Sequence, residues 1–161
     1  MPILHTQLSG KANLPNGQAV AIPPGVALAQ RGPVAQVAIG LSKAVANQWA
    51  LQGLSLPNLV SGLALFDTGA SVTCIDDAAA KQLNLPVVNV VTIASASHAA
   101  TQQNVYPVSV EFVGATILIE NVLAVGAPLN AQGLIALIGR DVLRAGTLHY
   151  NGIVGEFTLA V

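Results

Sequence analysis

Short apolar β-type segments alternate with turn-forming residues along most of this chain. Residues 34–41 carry β-branched side chains at loosely alternating positions, which is typical of a strand. The dipeptide Asn151-Gly152 predicts the turn of a hairpin that begins at Leu148. Further strands are predicted at residues 63–67, 72–75, 87–94, 105–112, 116–120, 122–125 and 134–138. About nine short strands in all predict an all-β barrel or sandwich.

Helical patterns are fewer than strand patterns. Asp76 or Asp77 is placed to cap a short helix over residues 78–83. Asp141 is placed to cap a second short helix that stops at Gly146. One or two short helices are therefore expected beside the strands.

The first third of the chain is less regular. Gly and Pro punctuate residues 1–33, which predicts an extended N-terminal arm with one or two edge strands. Residues 42–61 leave a helix and a long loop open, because Gly53 and Pro57 interrupt a helical spacing. One domain is expected over residues 34–161, since the chain is long enough for one sizeable core but not for two.

The low and balanced charge of the chain limits the classes of partner that it is expected to bind. Only 8% of the residues are charged, against about 25% in ordinary soluble domains. The 6 basic and 7 acidic residues nearly balance, so neither nucleic acid nor an anionic membrane is expected as a partner. Apolar runs are shorter than a bilayer requires and no signal peptide is visible. The single cysteine, Cys74, fits a reducing compartment, and a cytoplasmic location is expected.

Most familiar catalytic and metal-binding patterns are missing from the sequence. His5, His98, His149 and Cys74 have none of the recognised zinc spacings, and neither a Gly-x-Ser-x-Gly elbow nor a phosphate-binding glycine loop occurs. No metal and no cofactor are therefore expected. Cys74 with His98 as its base is one candidate nucleophile, but a free cysteine in an apolar strand is more often an inert buried thiol.

Asp67 is the carboxylate that requires an explanation. It lies between two apolar β-type segments and begins the tripeptide Asp67-Thr68-Gly69. Alone this tripeptide is a weak signal, expected by chance in roughly a few per cent of chains of this length. Its context is more informative, because a hairpin follows and then an apolar strand that ends in Gly-Arg-Asp at residues 139–141.

Residues 66–71 (Phe-Asp-Thr-Gly-Ala-Ser) together with residues 136–143 (Ala-Leu-Ile-Gly-Arg-Asp-Val-Leu) resemble the retropepsin-like aspartic proteases. The resemblance runs from about residue 34 to the C-terminus. It implies an all-β, closed, barrel-like domain with a flap hairpin whose tip lies at residues 95–103, assembled as a homodimer. The resemblance implies that Asp67 is the catalytic aspartate and that Thr68 braces the site across the dimer. It also implies that Gly69, which has no Cβ, allows a close approach of the backbone. The resemblance further implies substrate-binding residues Ala70, Ser71, Ala94, Ser95, Ala96, Ser97 and His98, and supporting residues Gly139, Arg140 and Asp141.

The chain departs from the family pattern at two places. The flap tip contains no glycine, and His98 is expected there as a surface residue more than as a substrate contact. Ser71 stands where the retroviral enzymes usually have an aspartate that pairs with the supporting arginine. Arg140 must therefore find another partner, with Asp141, Asp76 or Asp77 as candidates.

The C-terminal hairpin offers a candidate dimer interface. Ile153, Phe157, Leu159 and Val161 are alternating apolar positions, which either meet a second protomer or fill the core of the monomer.

The sequence thus predicts an aspartic endopeptidase that acts on peptide or protein substrates. Two Asp67 carboxylates from two protomers would activate a water and share one proton, so activity would be greatest at acidic pH. The alternative is a non-catalytic dimerisation or peptide-binding module with the same fold. An unrelated β-sandwich is a weaker third hypothesis.

Overall fold

The computed structural model describes residues 1–95 and 98–161, and side chains for all of these except 94, 95, 98 and 99. The strands are β1 (Ile3–Gln7), β2 (Gly10–Asn13), β3 (Ala19–Ile22), β4 (Val34–Leu41), β5 (Val60–Phe66), β6 (Cys74–Asp76), β7 (Asn89–Ser95), β8 (His98–Phe112), β9 (Ile117–Ala127), β10 (Ala136–Ile138), β11 (Thr147–Asn151) and β12 (Glu156–Ala160). The helices are α1 (Pro24–Arg31), α2 (Lys43–Leu51), α3 (Asp77–Gln82) and α4 (Arg140–Leu143), with a single 3₁₀ turn at Asn130–Gln132.

Six strands close into a barrel. They follow one another in the order β4-β5-β10-β6-β9-β8, and β8 pairs back with β4. β10 runs parallel to β5 and antiparallel to β6, while β6 runs parallel to β9. β7 pairs with β8 and extends that strand pair beyond the barrel as a hairpin. The predicted all-β, barrel-like fold class is confirmed.

The barrel interior is packed by aromatic and β-branched side chains. In β8, Val108, Val110 and Phe112 are fully buried while the residues between them are not, as the period-two geometry of a strand requires. The Phe66 ring stacks on Phe112 at a centroid distance of 5.6 Å and meets Phe157 in a tilted arrangement at 5.2 Å. These contacts place the end of β5 in the centre of the core, so the residue that follows it starts from a fixed position.

The helices differ from expectation in number. The described residues contain four α-helices instead of one or two. Residues 42–61 include α2, whose first turn is capped by the Ser42 hydroxyl accepting a hydrogen bond from the Val45 N–H. The sequence does not predict α1, because proline and glycine at its start are typical of a turn. Pro24 in fact occupies a first-turn position, where its missing N–H costs nothing.

Two predictions for residues 95–125 are wrong. The strands predicted at residues 116–120 and 122–125 are one continuous strand, β9 (Ile117–Ala127), which passes through Asn121 with a φ of 59°. Residues 95–103 are not all a hairpin tip, since Thr101, Gln102 and Gln103 pair with β7. Ser95 pairs with His98, and residues 96 and 97 lie outside the described part of the chain.

The N-terminal arm begins with a strand that joins the C-terminal hairpin. β1 pairs with β12, and β12 also pairs with β11, in one three-stranded antiparallel sheet. Phe157 and Leu159 of β12 are buried in the core of the monomer, whereas Ile153 is 94% exposed. The core-filling interpretation therefore holds for Phe157 and Leu159, and an interface role for the rest of the hairpin stays a prediction.

Candidate active site

Asp67 is positioned by the ends of two parallel barrel strands. It directly follows Phe66, the last residue of β5, which pairs with Ile138, the last residue of β10. The Asp67 N–H donates to the Ile138 carbonyl at 2.9 Å. The strand pairing therefore extends up to the residue that carries the carboxylate, which is half-buried.

The Asp67 side chain is fixed by its own turn. Oδ1 accepts a hydrogen bond from the Gly69 N–H at 2.8 Å, and the Asp67 carbonyl accepts one from the Ala70 N–H at 3.2 Å. The bond from the Gly69 N–H to Oδ1 is the local side chain-to-backbone hydrogen bond that Asp favours in turns. A Cβ at Gly69 would lie 3.0 Å from Asp67 Oδ1, so any other residue at this position would crowd the carboxylate. Thr68 and Gly69 themselves are exposed.

Arg140 holds this turn from the neighbouring segment. Its Nη1 donates to the carbonyls of Thr68 at 2.8 Å and Gly69 at 3.0 Å, and its N–H donates to the Ala70 carbonyl at 3.0 Å. A guanidinium is satisfied by carbonyl oxygens as well as by carboxylates. The prediction that Arg140 pairs with Asp141, Asp76 or Asp77 is wrong, because its guanidinium binds backbone carbonyls instead.

Two of the carboxylates that were expected to pair with Arg140, Asp76 and Asp141, have other partners. Asp76 caps α3 through the Ala78 N–H and accepts a hydrogen bond from the Asn130 N–H at 2.7 Å. Asp141 binds Thr73. Lys43 forms an ion pair with Glu120, and Nε2 of His5 lies 3.7 Å from Oε2 of Glu156.

Thr73 is a site residue that sequence reasoning missed. It is fully buried and lies directly before β6. Its N–H and its hydroxyl donate to the two oxygens of Asp141 at 3.0 and 2.8 Å, and the hydroxyl accepts from the Gly139 N–H at 3.1 Å. The available signal was a single hydroxyl within the apolar run of residues 72–75, since a buried polar group requires partners.

Cys74 lies next to these carboxylates as a neutral thiol. Burial raises the pKa of the Cys74 thiol to about 11, with smaller contributions from the charges of Asp141 and Asp67. A nucleophilic cysteine needs the opposite shift, because the thiolate is the reactive form. The structure favours the inert-thiol interpretation over a Cys74 nucleophile.

The remaining predicted site residues are only partly described. Ala70 is half-buried and Ser71 is exposed, and both follow Asp67 within its loop. Ala94 and Ser95 end β7, and His98 begins β8, where its backbone pairs with that of Ser95; nothing is described of their side chains. Ala96 and Ser97, also predicted to bind substrate, lie outside the described residues.

The described residues contain neither a metal-binding cluster nor a membrane-spanning helix. Over residues 1–95 and 98–161, no group of three or more His, Cys, Asp or Glu side chains is arranged to hold a metal ion. No helix in the same part of the chain is long and apolar enough to cross a membrane.

Comparisons with known proteins place the chain in a family. The model of the gag-polyprotein putative aspartyl protease family matches residues 58–145, which include both Asp67 and Arg140. A search of curated proteins found no match.

Two solved structures resemble the fold at low sequence identity. A retropepsin-like aspartic protease from Rickettsia conorii has 11% identity and a TM-score of 0.47, with 98% of this chain and 92% of that chain covered. The retroviral protease-like domain of Ddi1 from Leishmania major has 14% identity and a TM-score of 0.40, with 74% of this chain and 82% of that chain covered. Both TM-scores are below 0.5, so the assignment is based on the family model. Because that model matches more than half of the 161 residues, the protein belongs to the gag-polyprotein putative aspartyl protease family, and the predicted kinship with retropepsin-like aspartic proteases is confirmed.

Proposed function

We propose that the protein is an aspartic endopeptidase whose active site is completed by Asp67 from two copies of the chain. Membership of an aspartyl protease family supports the reaction type. The need for two copies comes from the sequence, which contains Asp-Thr-Gly once and no Asp-Ser-Gly. A single carboxylate cannot act as both base and acid at the same moment.

The observation that carries the proposal is the setting of Asp67. Its carboxylate is held by the Gly69 N–H, and the loop around it is fixed to residues 138–141. Thr68 and Gly69 are exposed residues, which leaves this loop accessible to a second copy. A site formed by two Asp67 carboxylates requires each carboxylate to be held in place and to be accessible to the second copy.

The chemistry follows from placing two carboxylates together. At a separation of about 3 Å both cannot be ionised, so the pair shares one proton and titrates as a unit. The ionised Asp67 removes a proton from a water while the water oxygen adds to the peptide carbonyl. The protonated Asp67 donates to the carbonyl oxygen, which gives a gem-diol. The Asp67 that took the proton from water then donates it to the nitrogen as the C–N bond breaks. The other Asp67 accepts a hydroxyl proton from the gem-diol, which leaves a carboxylic acid, an amine and the pair with its one proton.

The other predicted residues take supporting roles in this proposal. Thr68 braces one copy against the other, and Gly139, Arg140 and Asp141 hold the loop from behind. Peptide substrate binds at the predicted residues Ala70, Ser71, Ala94, Ser95, Ala96, Ser97 and His98.

The test is the variant Asp67→Asn, assayed with an unfolded protein substrate at pH 4 to 6. The wild-type protein is expected to cleave most rapidly at acidic pH and to be inhibited by a pepstatin-type compound. Asp67→Asn should reduce the rate by about 10²- to 10⁴-fold, the usual contribution of a general acid or base. Sedimentation should show the same dimer for both proteins.

Glu120→Gln is the matched control, because Glu120 is a surface carboxylate paired with Lys43. It should leave the cleavage rate unchanged. Full activity in Asp67→Asn would refute the mechanism, as would an activity that is blocked by metal chelators and unaffected by pepstatin. A dimer with no cleavage under any of these conditions would support the non-catalytic module instead.

A further inference from the structure

The loop from Asp67 to Thr73 is attached along its length to one short segment, residues 138–141. At its start, the Asp67 N–H binds the Ile138 carbonyl, and in its middle the Ala70 carbonyl accepts from the Arg140 N–H. At its end, Thr73 binds Asp141 and Gly139. The Asp67 and Ala70 bonds use the backbone of the loop, whereas Thr73 also contributes its side chain.

The direction of each hydrogen bond at Thr73 is determined by its partners. The Gly139 N–H can only donate, so the Thr73 hydroxyl accepts there at 3.1 Å and directs its own hydrogen to Asp141 Oδ1 at 2.8 Å. Asp141 also accepts from the Thr73 N–H at 3.0 Å and the Val142 N–H at 2.9 Å. All partners of the Asp141 carboxylate are therefore donors, and the ionised form accepts them all.

Burial makes this arrangement rigid. Thr73 is 0% exposed and Gly139 is buried, so water does not replace a partner lost by the Thr73 hydroxyl or the Gly139 N–H, although Asp141 itself is partly exposed. Only a side chain that both donates and accepts at one atom joins the Gly139 N–H to the Asp141 carboxylate in this space. Serine and threonine have such a side chain, whereas valine has the shape of threonine without the hydroxyl.

We propose that Thr73 is a positioning residue for the reaction at Asp67: its hydroxyl connects Gly139 to Asp141 and thereby fixes the end of the loop that presents the carboxylate. This inference rests on the proposed function for its kinetic consequences. Its structural consequence, the placement of the Asp67 turn, does not require catalysis.

The kinetic test compares Thr73→Val with Thr73→Ser at a temperature where both variants are folded. Thr73→Val should reduce kcat by about tenfold to a hundredfold with KM nearly unchanged, because a displacement on the order of 1 Å at a catalytic group costs about 10²-fold in rate. Thr73→Ser should retain the wild-type kcat within a few fold. A role confined to packing predicts the opposite order, since serine loses the methyl group and valine keeps it.

Coupling to Asp141 provides a second kinetic readout. In Asp141→Asn the amide NH₂ replaces one carboxylate oxygen and meets a backbone N–H that can only donate, that of Thr73 or that of Val142, so it should produce the same kcat-selective loss. The double variant should be no slower than the slower single variant, as expected for two residues that act through one contact. If Thr73→Val does not fold, Asp141→Asn and Thr73→Ser decide the question.

Amide hydrogen exchange at Gly69 tests the placement without any turnover. The Gly69 N–H is hydrogen-bonded to Asp67 Oδ1, so it reports the geometry of the carboxylate directly. Thr73→Val should accelerate this exchange by about tenfold relative to wild type and Thr73→Ser, while core amides of β8 are unchanged. Unaltered Gly69 exchange or a wild-type kcat in Thr73→Val would overturn the proposal. A wild-type protein that never cleaves would refute the proposed function alone, because the exchange result stands independently.

Discussion

Gly139→Ala tests how closely the segment 138–141 approaches the loop of Asp67. A Cβ built at Gly139 lies 2.5 Å from both the carbonyl carbon and the oxygen of Val72, and 2.9 Å from the Thr73 nitrogen. Ordinary van der Waals contact begins at 3.4 Å. The φ of Gly139 is −85°, a value that alanine adopts readily. The substitution therefore acts through steric contact and not through backbone strain.

The size of the effect follows from the type of atom in contact. Val72 and Thr73 present backbone atoms, which cannot rotate away as a side chain can, so the two segments must separate by about 1 Å. Overpacking of this kind costs about 1–3 kcal/mol of unfolding free energy. The same displacement at the end of the Asp67 loop should reduce the rate of peptide cleavage by about 10²-fold.

Urea unfolding followed by fluorescence measures the stability, and cleavage of a quenched peptide measures the rate. Gly152→Ala is the matched control, because a Cβ at Gly152 would find its nearest heavy atom, Tyr150 Cε1, at 3.4 Å and its φ is not left-handed. That control should change stability by less than about 0.5 kcal/mol. A Gly139→Ala protein as stable and as active as wild type would refute the close approach.

Two further predictions concern the thiol and the core. Because the pKa of Cys74 is raised from 9.0 to about 11, iodoacetamide should alkylate the folded protein at pH 8 about 100-fold more slowly than the urea-unfolded chain, and the rate should rise as the pH approaches 11. The same shift means that stability from the neutral thiol is complete below pH 9.0 and declines toward about pH 11, so equal alkylation of both states at pH 8 would contradict the burial of Cys74. Phe157→Ala should cost about 3–5 kcal/mol in urea unfolding, because this fully buried ring packs on Phe66. Tyr150→Ala on the paired strand, 48% exposed, should cost clearly less, and equal losses would argue against Phe157 as a core residue.

Local sequence chemistry determined much of this protein. The strand at residues 34–41 was predicted at its observed bounds, because its β-branched run and its flanking Pro and Ser are local signals. Asp76 was one of two residues predicted to cap α3, and it is the observed cap. The position of Asp67 at the end of an apolar strand was also visible, since hydrophobic pattern and turn residues depend only on near neighbours.

Only the tertiary structure decided how the two motifs meet. Thr73 and Asp141 are 68 positions apart in sequence, and Arg140 is 72 positions from Thr68. These contacts depend on the parallel register of β5 and β10, which brings Phe66 opposite Ile138. Local pattern indicates that a polar group is buried and needs a partner, but not which partner lies within reach. The pairing of β10 with β5 determines the partners. It brings Arg140 to the carbonyls of Thr68 and Gly69, and it brings the carboxylate of Asp141 to Thr73.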